Sequence, residues 1–390
     1  MGYYMDVTHL SLNKHGEELC GDHIETAENG AGKILVLSDG LGSGVKANIL
    51  ATLTAKIAVT MLKEDATLED TIETITRTLP VCSVRRMAYS TFTIVTAEES
   101  GKVRIVEFDN PSYFYLQAGK LLMPEKTMRM IHGKKVFESQ ILMEPGDYLA
   151  VVSDGVVHAG VGKLLNFGWK WENIREYMEG LSLRNQASGT LAHEVLGYTG
   201  VLYDLKPGDD ASILCLTMKE RKILNLFTGP PSHPEDDALY VRSFREAEGL
   251  RVISGGTTAN VISRELGVPM KIDLDDLTAD LPPSAAMEGA DLVTEGVLTL
   301  GEVIRILEDF GNEKRSMEIL RRLSSKDAAA RLTRLLLNEA TEIRLWMGTA
   351  VNPAHQQPGF NYNYSYKVDQ VNRLKELLEA NGRTVHLYTI

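Results

Sequence analysis

The chain has 390 residues, of which 44% are hydrophobic and 24% charged, an ordinary size and composition for a globular protein of two domains. Its 53 acidic and 41 basic residues give a net charge of -12, which argues against a nucleic-acid partner, because nucleic acids bind basic surfaces. The widely spaced Cys20, Cys82 and Cys215 predict neither a zinc site nor a disulfide framework. We expect no signal peptide and no membrane-spanning run, and hence a cytoplasmic protein without a membrane partner.

The first part of the chain predicts strands joined mainly by hairpins, with helices gathered into a few blocks. Apolar residues at three- and four-residue spacing predict helices at 45–62, 68–79, 169–178 and 187–196. Runs of β-forming residues between turn signals predict strands at 7–12, 33–38, 89–97, 103–108, 112–117, 120–124, 136–142, 148–153 and 212–216. This arrangement indicates an α+β sandwich.

The pattern changes at a charged segment, residues 218–222, beyond which strands and helices alternate. Strands are predicted at 223–227, 250–254, 290–294, 343–347 and 384–389, and helices at 236–248, 258–266, 300–310 and 368–380. Such alternation is typical of an α/β domain with a mostly parallel sheet. We therefore expect one domain over residues 1–219 and another over 220–390.

Four segments of the first domain place an aspartate beside a glycine: Gly21-Asp22, Ser38-Asp39-Gly40, Ser153-Asp154-Gly155 and Gly208-Asp209-Asp210. Three of them adjoin a run that reads as a buried strand, so their carboxylates are expected at one edge of the sandwich. Converging carboxylates form an all-oxygen site that suits Mn²⁺ or Mg²⁺. A single Asp-Gly pair is usually only a turn, and it is the combination that predicts a metal site.

One or two such ions can ionise a bound water and neutralise charge on a phosphoryl group, which is the chemistry of phosphoester hydrolysis. Asp39 is the best candidate for a ligand shared by two ions, and the Gly40 carbonyl is accessible because glycine has no side chain. Asp154, with Asp209 or Asp210, is expected to complete the second metal, and Asp22 to hold a metal-bound water.

These four motifs, in this order, resemble those of the metal-dependent serine/threonine phosphatases of the 2C type, and most closely their bacterial stage II sporulation protein E branch. The resemblance covers about residues 5–218. It implies a central β-sandwich flanked by helices, two Mn²⁺ or Mg²⁺ ions, and hydrolysis of phosphoserine or phosphothreonine. The implied ligands are Asp39, the Gly40 carbonyl, Asp154 and Asp209, with Asp22 close by. The implied protein substrate is an anti-sigma-factor antagonist.

The motifs depart from the wider family at two places. Leu41 stands where eukaryotic members have a proton-donating histidine, and Glu17 and Glu18 occupy the region of a phosphate-binding arginine. The general acid is therefore unassigned. His23 and His158 adjoin the motifs, but a solvated or structural role is the simpler interpretation for both.

In the second domain, Gly255, Gly256, Thr257 and Thr258 link a predicted strand to a helix and offer backbone N–H groups and hydroxyls to a small anionic ligand. Other predicted strands end in similar turns at 228–231, 294–296 and 348–350. Glycine also simply terminates strands in α/β domains, and the two interpretations remain open. Residues 220–390 contain no Walker or dinucleotide-binding pattern.

The sequence thus predicts a cytoplasmic metal-dependent protein phosphatase with a C-terminal sensory or regulatory domain. One alternative is a non-catalytic regulator that uses a phosphatase-like fold to bind a partner or a phosphorylated ligand. Another is that the C-terminal half is itself an enzyme and the phosphatase half controls it.

Overall fold

The computed structural model describes residues 2–30, 32–78, 90–184, 187–273, 281–312, 315–350 and 364–390. Cys82 and the sequence-predicted strand and helix ends at 79, 80 and 89 lie outside these ranges. The chain folds into two compact units, Met1–Glu220 and Arg221–Ile390.

The strands of the first unit form two antiparallel sheets. Their bounds are β1 Tyr4–Leu12, β2 Asp22–Asn29, β3 Gly32–Gly40, β4 Ser90–Glu98, β5 Lys102–Phe108, β6 Phe114–Gln117, β7 Lys120–Leu122, β8 Thr127–Ile131, β9 Lys134–Leu142, β10 Tyr148–Val152 and β11 Ala211–Lys219. One sheet has the order β1-β11-β10-β6-β7 and the other β2-β3-β4-β5-β9-β8.

Helices cover the outer faces of both sheets. Their bounds are α1 Gly44–Lys63, α2 Leu68–Thr78, α3 Asp154–Val157, α4 Trp171–Ser182 and α5 Ser188–Leu202. Strand β3 is buried on both faces, since Ile34 and Val36 pack with α1 and α2 while Leu35 and Leu37 pack between the sheets. Burying one such side chain is worth about 1.5–3 kcal/mol. The predicted sandwich flanked by helices is confirmed.

Two strands of this unit are absent from the sequence prediction, β2 and β8, which lie at the two edges of their sheet. An edge strand keeps polar side chains along much of its length, and β2 has only a weak alternation over DHIETAEN. Among the described residues, helix α1 is long and apolar enough, by length and composition alone, to cross a membrane. Ala47, Ala51 and Ala55 on one of its faces are nevertheless buried in the unit, as in a core helix.

The second unit contains a mostly parallel sheet covered by helices on both faces. Its strands are β12 Ile223–Thr228, β13 Leu250–Ser254, β14 Met270–Ile272, β15 Ala285–Met287, β16 Leu292–Thr294, β17 Glu342–Met347 and β18 Thr384–Thr389. Its helices are α6 Asp237–Glu246, α7 Gly256–Leu266, α8 Val297–Phe310, α9 Ser316–Leu323, α10 Ala328–Arg334 and α11 Tyr364–Ala380.

The sheet order is β14-β15-β16-β13-β12-β17-β18, in which neighbours from β16 to β18 are parallel and β14 and β15 pair antiparallel. Leu224 and Leu226 of β12 pack in one core layer and Phe227 in the other. The predicted α/β architecture is confirmed. Strands β14 and β15 and helices α9 and α10 were not predicted. Helix α10 has little amphipathic pattern because Ala328, Ala329, Ala330 and Leu332 are all fully buried.

Candidate active site

The four predicted aspartates lie at one end of the sandwich. Asp22 is the first residue of β2 and pairs directly with Asp39, the penultimate residue of β3. Asp154 opens α3 immediately after β10 and its N-cap residue Ser153. Asp209 lies two residues before β11, whose first residues pair with the end of β10. The strand ends of both sheets therefore bring these carboxylates to a common edge.

Hydrogen bonds and charges connect the four carboxyl groups. The Asp39 carboxyl group experiences the negative charges of Asp22, Asp154 and Asp209, so the four side chains lie within electrostatic reach of one another. The hydroxyl groups of Ser153 and Ser212 hydrogen-bond to the Asp22 carboxyl group. Ser153 and Ser212 are themselves joined where β10 and β11 meet, since Ser212 N donates to Ser153 Oγ over 2.9 Å. Residues of both sheets thus build one polar cluster.

The pKa values of this cluster reflect burial and mutual repulsion. Burial, followed by the charges of Asp22, Asp154 and Asp209, raises the pKa of Asp39 far above its ordinary value. Burial is also the largest cause of the raised pKa of Asp22, and burial followed by the charge of Asp154 raises that of Asp209. Such shifts mean that the converging negative charges lack compensation within the protein.

Unpartnered polar atoms are concentrated at the same edge. The described residues contain eight buried side-chain N or O atoms without a hydrogen-bond partner, and four of them belong to Asp22, Thr91, Asn110 and Asp210. Thr91 pairs with Asp39 across β3 and β4. Buried polar atoms are normally satisfied, so such a concentration indicates a group that binds there. The all-oxygen donor set fits a hard divalent cation.

The carboxylates are close together but are not arranged as a finished ligand cage. Within the described ranges, no three Asp, Glu, His or Cys side chains already stand in metal-ligating geometry. No lysine or arginine of those ranges forms an ion pair with Asp22, Asp39 or Asp154. Asp22, Asp39, Asp154 and Asp209 would hold a cation, and its positive charge would compensate their mutual repulsion.

Two glycines of the motifs are required by close backbone approach. A Cβ atom at Gly40 would overlap the carbonyl oxygen of Ala47 in α1, and one at Gly155 would overlap the carbonyl oxygen of Asp210. The second contact brings the start of α3 against the segment that carries Asp209. The Asp-Gly pairs at 39–40 and 154–155 thus lie at a strand end and in a helical turn, where they pack the acidic segments together.

The structure adds residues that the motifs did not single out. Asn110 donates from Nδ2 to Thr93 Oγ1 over 2.9 Å and to the Val152 carbonyl over 3.1 Å, and so secures the end of β10 just before Asp154. Asp210 is buried and accepts a hydrogen bond from Lys14 N over 2.9 Å. The turn at 109–112 is visible in the sequence, but its contact with β10 depends on the fold.

Three other features near the acidic motifs, two histidines and the start of α1, are not part of the carboxylate cluster. His23 contacts Glu25 over 2.9 Å, and His158 is exposed at the end of α3. The start of α1, at Gly42-Ser43-Gly44, already faces an anion of the protein, because Ser43 Oγ donates to Glu17 over 3.2 Å. Arg85 and Arg86, considered as phosphate ligands, lie outside the described residues.

The predicted residues of the second unit lie at the start of α7. Gly255 is its N-cap residue with a φ of 123°, a conformation that favours glycine, and Gly256, Thr257 and Thr258 form the first turn. Gly256 and Thr257 are exposed, whereas Thr258 is 1% exposed.

Comparison with known proteins identifies the first unit. Residues 29–219 match the family model described as Stage II sporulation protein E (SpoIIE). This part of the chain is therefore similar to the SpoIIE family, as the motifs predicted. The match ends at residue 219, and no curated protein matches the chain.

Solved structures with low sequence identity are also similar to part of the chain. The PP2C phosphatase domain with a regulatory-domain fragment of SpoIIE from Bacillus subtilis is 17% identical, with a TM-score of 0.48, over 57% of this chain. The chain spans 65% of the length of that structure. The RsbU and RsbW domains of Rv1364c from Mycobacterium tuberculosis are 14% identical over 63% of this chain and 68% of that one, with a TM-score of 0.47. RsbX in complex with magnesium is 18% identical over 55% and 96%, with a TM-score of 0.37.

Proposed function

We propose that the first unit is a metal-dependent protein phosphatase that hydrolyses phosphoserine or phosphothreonine in the cytoplasm. The observation that carries this proposal is the convergence of Asp22, Asp39, Asp154 and Asp209 at one edge of a domain similar to the SpoIIE family, with unpartnered buried oxygens around them. By this similarity, the substrate is proposed to be a phosphorylated anti-sigma-factor antagonist.

Asp39, the Gly40 carbonyl, Asp154 and Asp209 would hold two Mn²⁺ or Mg²⁺ ions, with Asp22 beside them. When bound, such ions supply an ionised water and neutralise charge on the phosphoryl oxygens. Ser153 and Ser212 orient the Asp22 carboxyl group by hydrogen bonding to it. Asn110 holds the carbonyl that ends β10 and so positions Asp154. The acidic edge itself repels a phosphoester, so substrate binding depends on the positive charge of the ions.

The direct test is hydrolysis of p-nitrophenyl phosphate and of phosphoserine peptides by the full chain, with Mn²⁺ and with EDTA. Asp39→Asn and Asp154→Asn are expected to lower kcat/KM by about a hundredfold or more, since the ions contribute several kcal/mol of transition-state stabilisation. Asp65→Asn is the matched control, because Asp65 is exposed in a turn with a φ of 58° that asparagine tolerates. Full activity in either site variant would contradict the mechanism.

A second candidate is a non-catalytic regulator that binds a partner or a phosphorylated ligand through the same edge. It is favoured by Leu41 in place of a proton donor and by the positions of His23 and His158, one on Glu25 and the other exposed. Calorimetric titration with Mn²⁺ alongside a turnover assay separates the candidates. Metal binding without turnover on any phosphopeptide would support the regulator.

A further inference from the structure

The sheet of the second unit has a point at which its strand order reverses. Its five parallel strands occur in space as the third, second, first, fourth and fifth along the chain, so the reversal lies between β12 and β17. The helices that follow these two strands leave in opposite directions. In open parallel sheets, ligands bind outside the carboxyl ends of the strands at such a point.

A lysine side chain reaches this point. Lys367, in the first turns of α11, donates from Nζ to the carbonyl of Gly348, the residue after β17. A Cβ atom at Gly229, the residue after β12, would overlap the same ammonium group. Within the described ranges Lys367 pairs with no carboxylate, and burial lowers its pKa to about 8. An ammonium group has three donors, so two remain for a ligand.

The next strand toward the centre of the sheet, β13, ends at a helix start that has no side-chain cap. Gly255, the N-cap residue of α7, contributes no side-chain cap bond, so the first backbone N–H groups of the helix have no side-chain acceptor at this residue. Thr258 in that first turn is 1% exposed, and its Oγ1 atom has no hydrogen-bond partner. The Oγ1 atom lies 3.3 Å from where a Cβ atom of Gly255 would stand, which places the hydroxyl beside the loop.

The start of the neighbouring helix α8 differs from the start of α7 in one respect. At α8, the Glu295 carboxylate already accepts from Leu298 N over 2.9 Å, so a carboxylate of the protein occupies the position of an anion. Thr299 of that helix is fully buried and its Oγ1 atom also lacks a partner. Helix α7 is thus the start at which an external anion could bind, and its neighbour shows that this fold accommodates a carboxylate there.

Contacts connect the α7 start to the lysine. The N-cap residue of α8, Gly296, lies close to Gly255, since a Cβ atom on it would be 3.3 Å from Gly255 Cα. Gln370 of α11 donates to the Val297 carbonyl of α8 over 3.1 Å, and Gln370 is one helical turn after Lys367. The described residues that directly follow β12, β13, β16 and β17 therefore form one continuous rim, together with Lys367 and Gln370 of α11.

We propose that this rim binds a small phosphate-bearing molecule, with its phosphate on the N–H groups of α7 and the Thr258 hydroxyl, and with another oxygen of the ligand bound by Lys367. Gly229, Gly255 and Gly296 along the rim are each partly exposed. The site belongs to the second unit and is independent of the proposed phosphatase activity.

The test measures binding of inorganic phosphate, pyrophosphate, AMP and ribose 5-phosphate to the full chain by calorimetry in EDTA, which removes metal from the first unit. At least one probe is expected to bind saturably. Binding of inorganic phosphate but of no other probe would indicate a site for the free ion. Tighter binding of a phosphomonoester would indicate that Lys367 contacts the rest of the ligand. Both results support the site.

Variants assign the binding to the rim. Lys367→Met and Thr258→Val are each expected to weaken binding about tenfold or more, because each removes a hydrogen bond to a charged group. Lys375→Met, on the same helix, and Thr333→Val, a buried hydroxyl elsewhere in the unit, are the matched controls and should leave the affinity unchanged. Saturable binding by none of the probes, or unchanged affinity in both rim variants, would overturn the proposal.

A second measurement needs no variant. Amine acylation of the native protein, read out by mass spectrometry, is expected to modify Lys367 several-fold more slowly when the bound probe is present, while Lys375 is modified at the same rate. Equal protection of both lysines, or of neither, would contradict the site. This result stays informative if a rim variant fails to fold, and also if the first unit hydrolyses no substrate.

Discussion

Replacing Asp39 by asparagine separates the role of its charge from that of its shape. Burial, followed by the charges of Asp22, Asp154 and Asp209, raises the pKa of Asp39. Two carboxylates about 4 Å apart repel by about 4 kcal/mol at an effective dielectric constant of about 20. Because Asp39 is only half-buried, solvent screening reduces this to about 1–3 kcal/mol. An asparagine amide can donate to Asp154 without that repulsion.

The metal-free Asp39→Asn protein is therefore expected to be more stable than the wild type. At about 2–4 °C per kcal/mol, the unfolding midpoint of the first unit should rise by about 2–12 °C. Adding Mn²⁺ should instead stabilise the wild type more than the variant. At a Mn²⁺ concentration of about 100 times Kd, the wild type should gain about 2.7 kcal/mol, or about 5–10 °C, and the variant little or nothing.

The assay is thermal unfolding of the full chain in a Trp346→Phe background, followed by tryptophan fluorescence with EDTA and with Mn²⁺. The remaining tryptophans, Trp169 and Trp171, both lie in the first unit, so the signal reports that unit alone. Asp65→Asn is the control and should behave as the wild type in both conditions. If Asp39→Asn kept the full Mn²⁺ stabilisation, the carboxylate cluster would not be the metal site.

Three further predictions concern the packing around the site and the second unit. Gly155→Ala should lower the unfolding midpoint of the first unit by several degrees, since its Cβ overlaps the Asp210 carbonyl and overpacking costs about 1–3 kcal/mol; an unchanged midpoint would contradict the close approach. Asn110→Ala should lower kcat more than it raises KM, because the lost bonds position the end of β10; an effect on KM alone would indicate substrate contact. Burial alone would raise the pKa of Asp327, but hydrogen bonds led by that from Arg322 lower it to about 2. The pKa of Asp327 is lower in the folded than in the unfolded state, so Asp327 contributes about 1–2 kcal/mol to the free energy of unfolding above pH 4, and this contribution is lost as the pH falls toward 2. Asp327→Asn keeps the N-cap of α10. In urea titrations, this variant should lack that pH dependence in the second unit.

Strongly periodic segments were predictable from the sequence, because their neighbours matter little to their structure. The buried run of β3 and the 3.6-residue repeat of α1 each match one type of element, and both were found close to the predicted positions. Strand β2 was not predictable in this way. Its residues are polar enough for a loop, and only pairing with β3 makes it a strand.

The same distinction applies to the candidate site. The sequence indicated that Asp39 and Asp154 follow buried strands, which implies rigid positions for both. It could not show that the charge of Asp154 acts on the Asp39 carboxyl group, since the two strands belong to different sheets. Spacing alone likewise could not decide whether Asp209 or Asp210 is the metal ligand. In the fold, the charge of Asp209 interacts with the carboxyl groups of Asp39 and Asp154, whereas the charge of Asp210 interacts with the carboxyl group of Asp22.

Local sequence by itself determined the strongly periodic strands and helices of both units, the acidic motifs and the similarity of residues 29–219 to the SpoIIE family. These properties depend on the order of residues along the chain, which periodicity and short motifs express directly. Tertiary structure alone decided which unpartnered oxygens meet at the acidic edge and that Lys367 reaches the loops after β12 and β17. Contacts between residues a hundred or more positions apart depend on how sheets pair and pack, and no local pattern records that pairing.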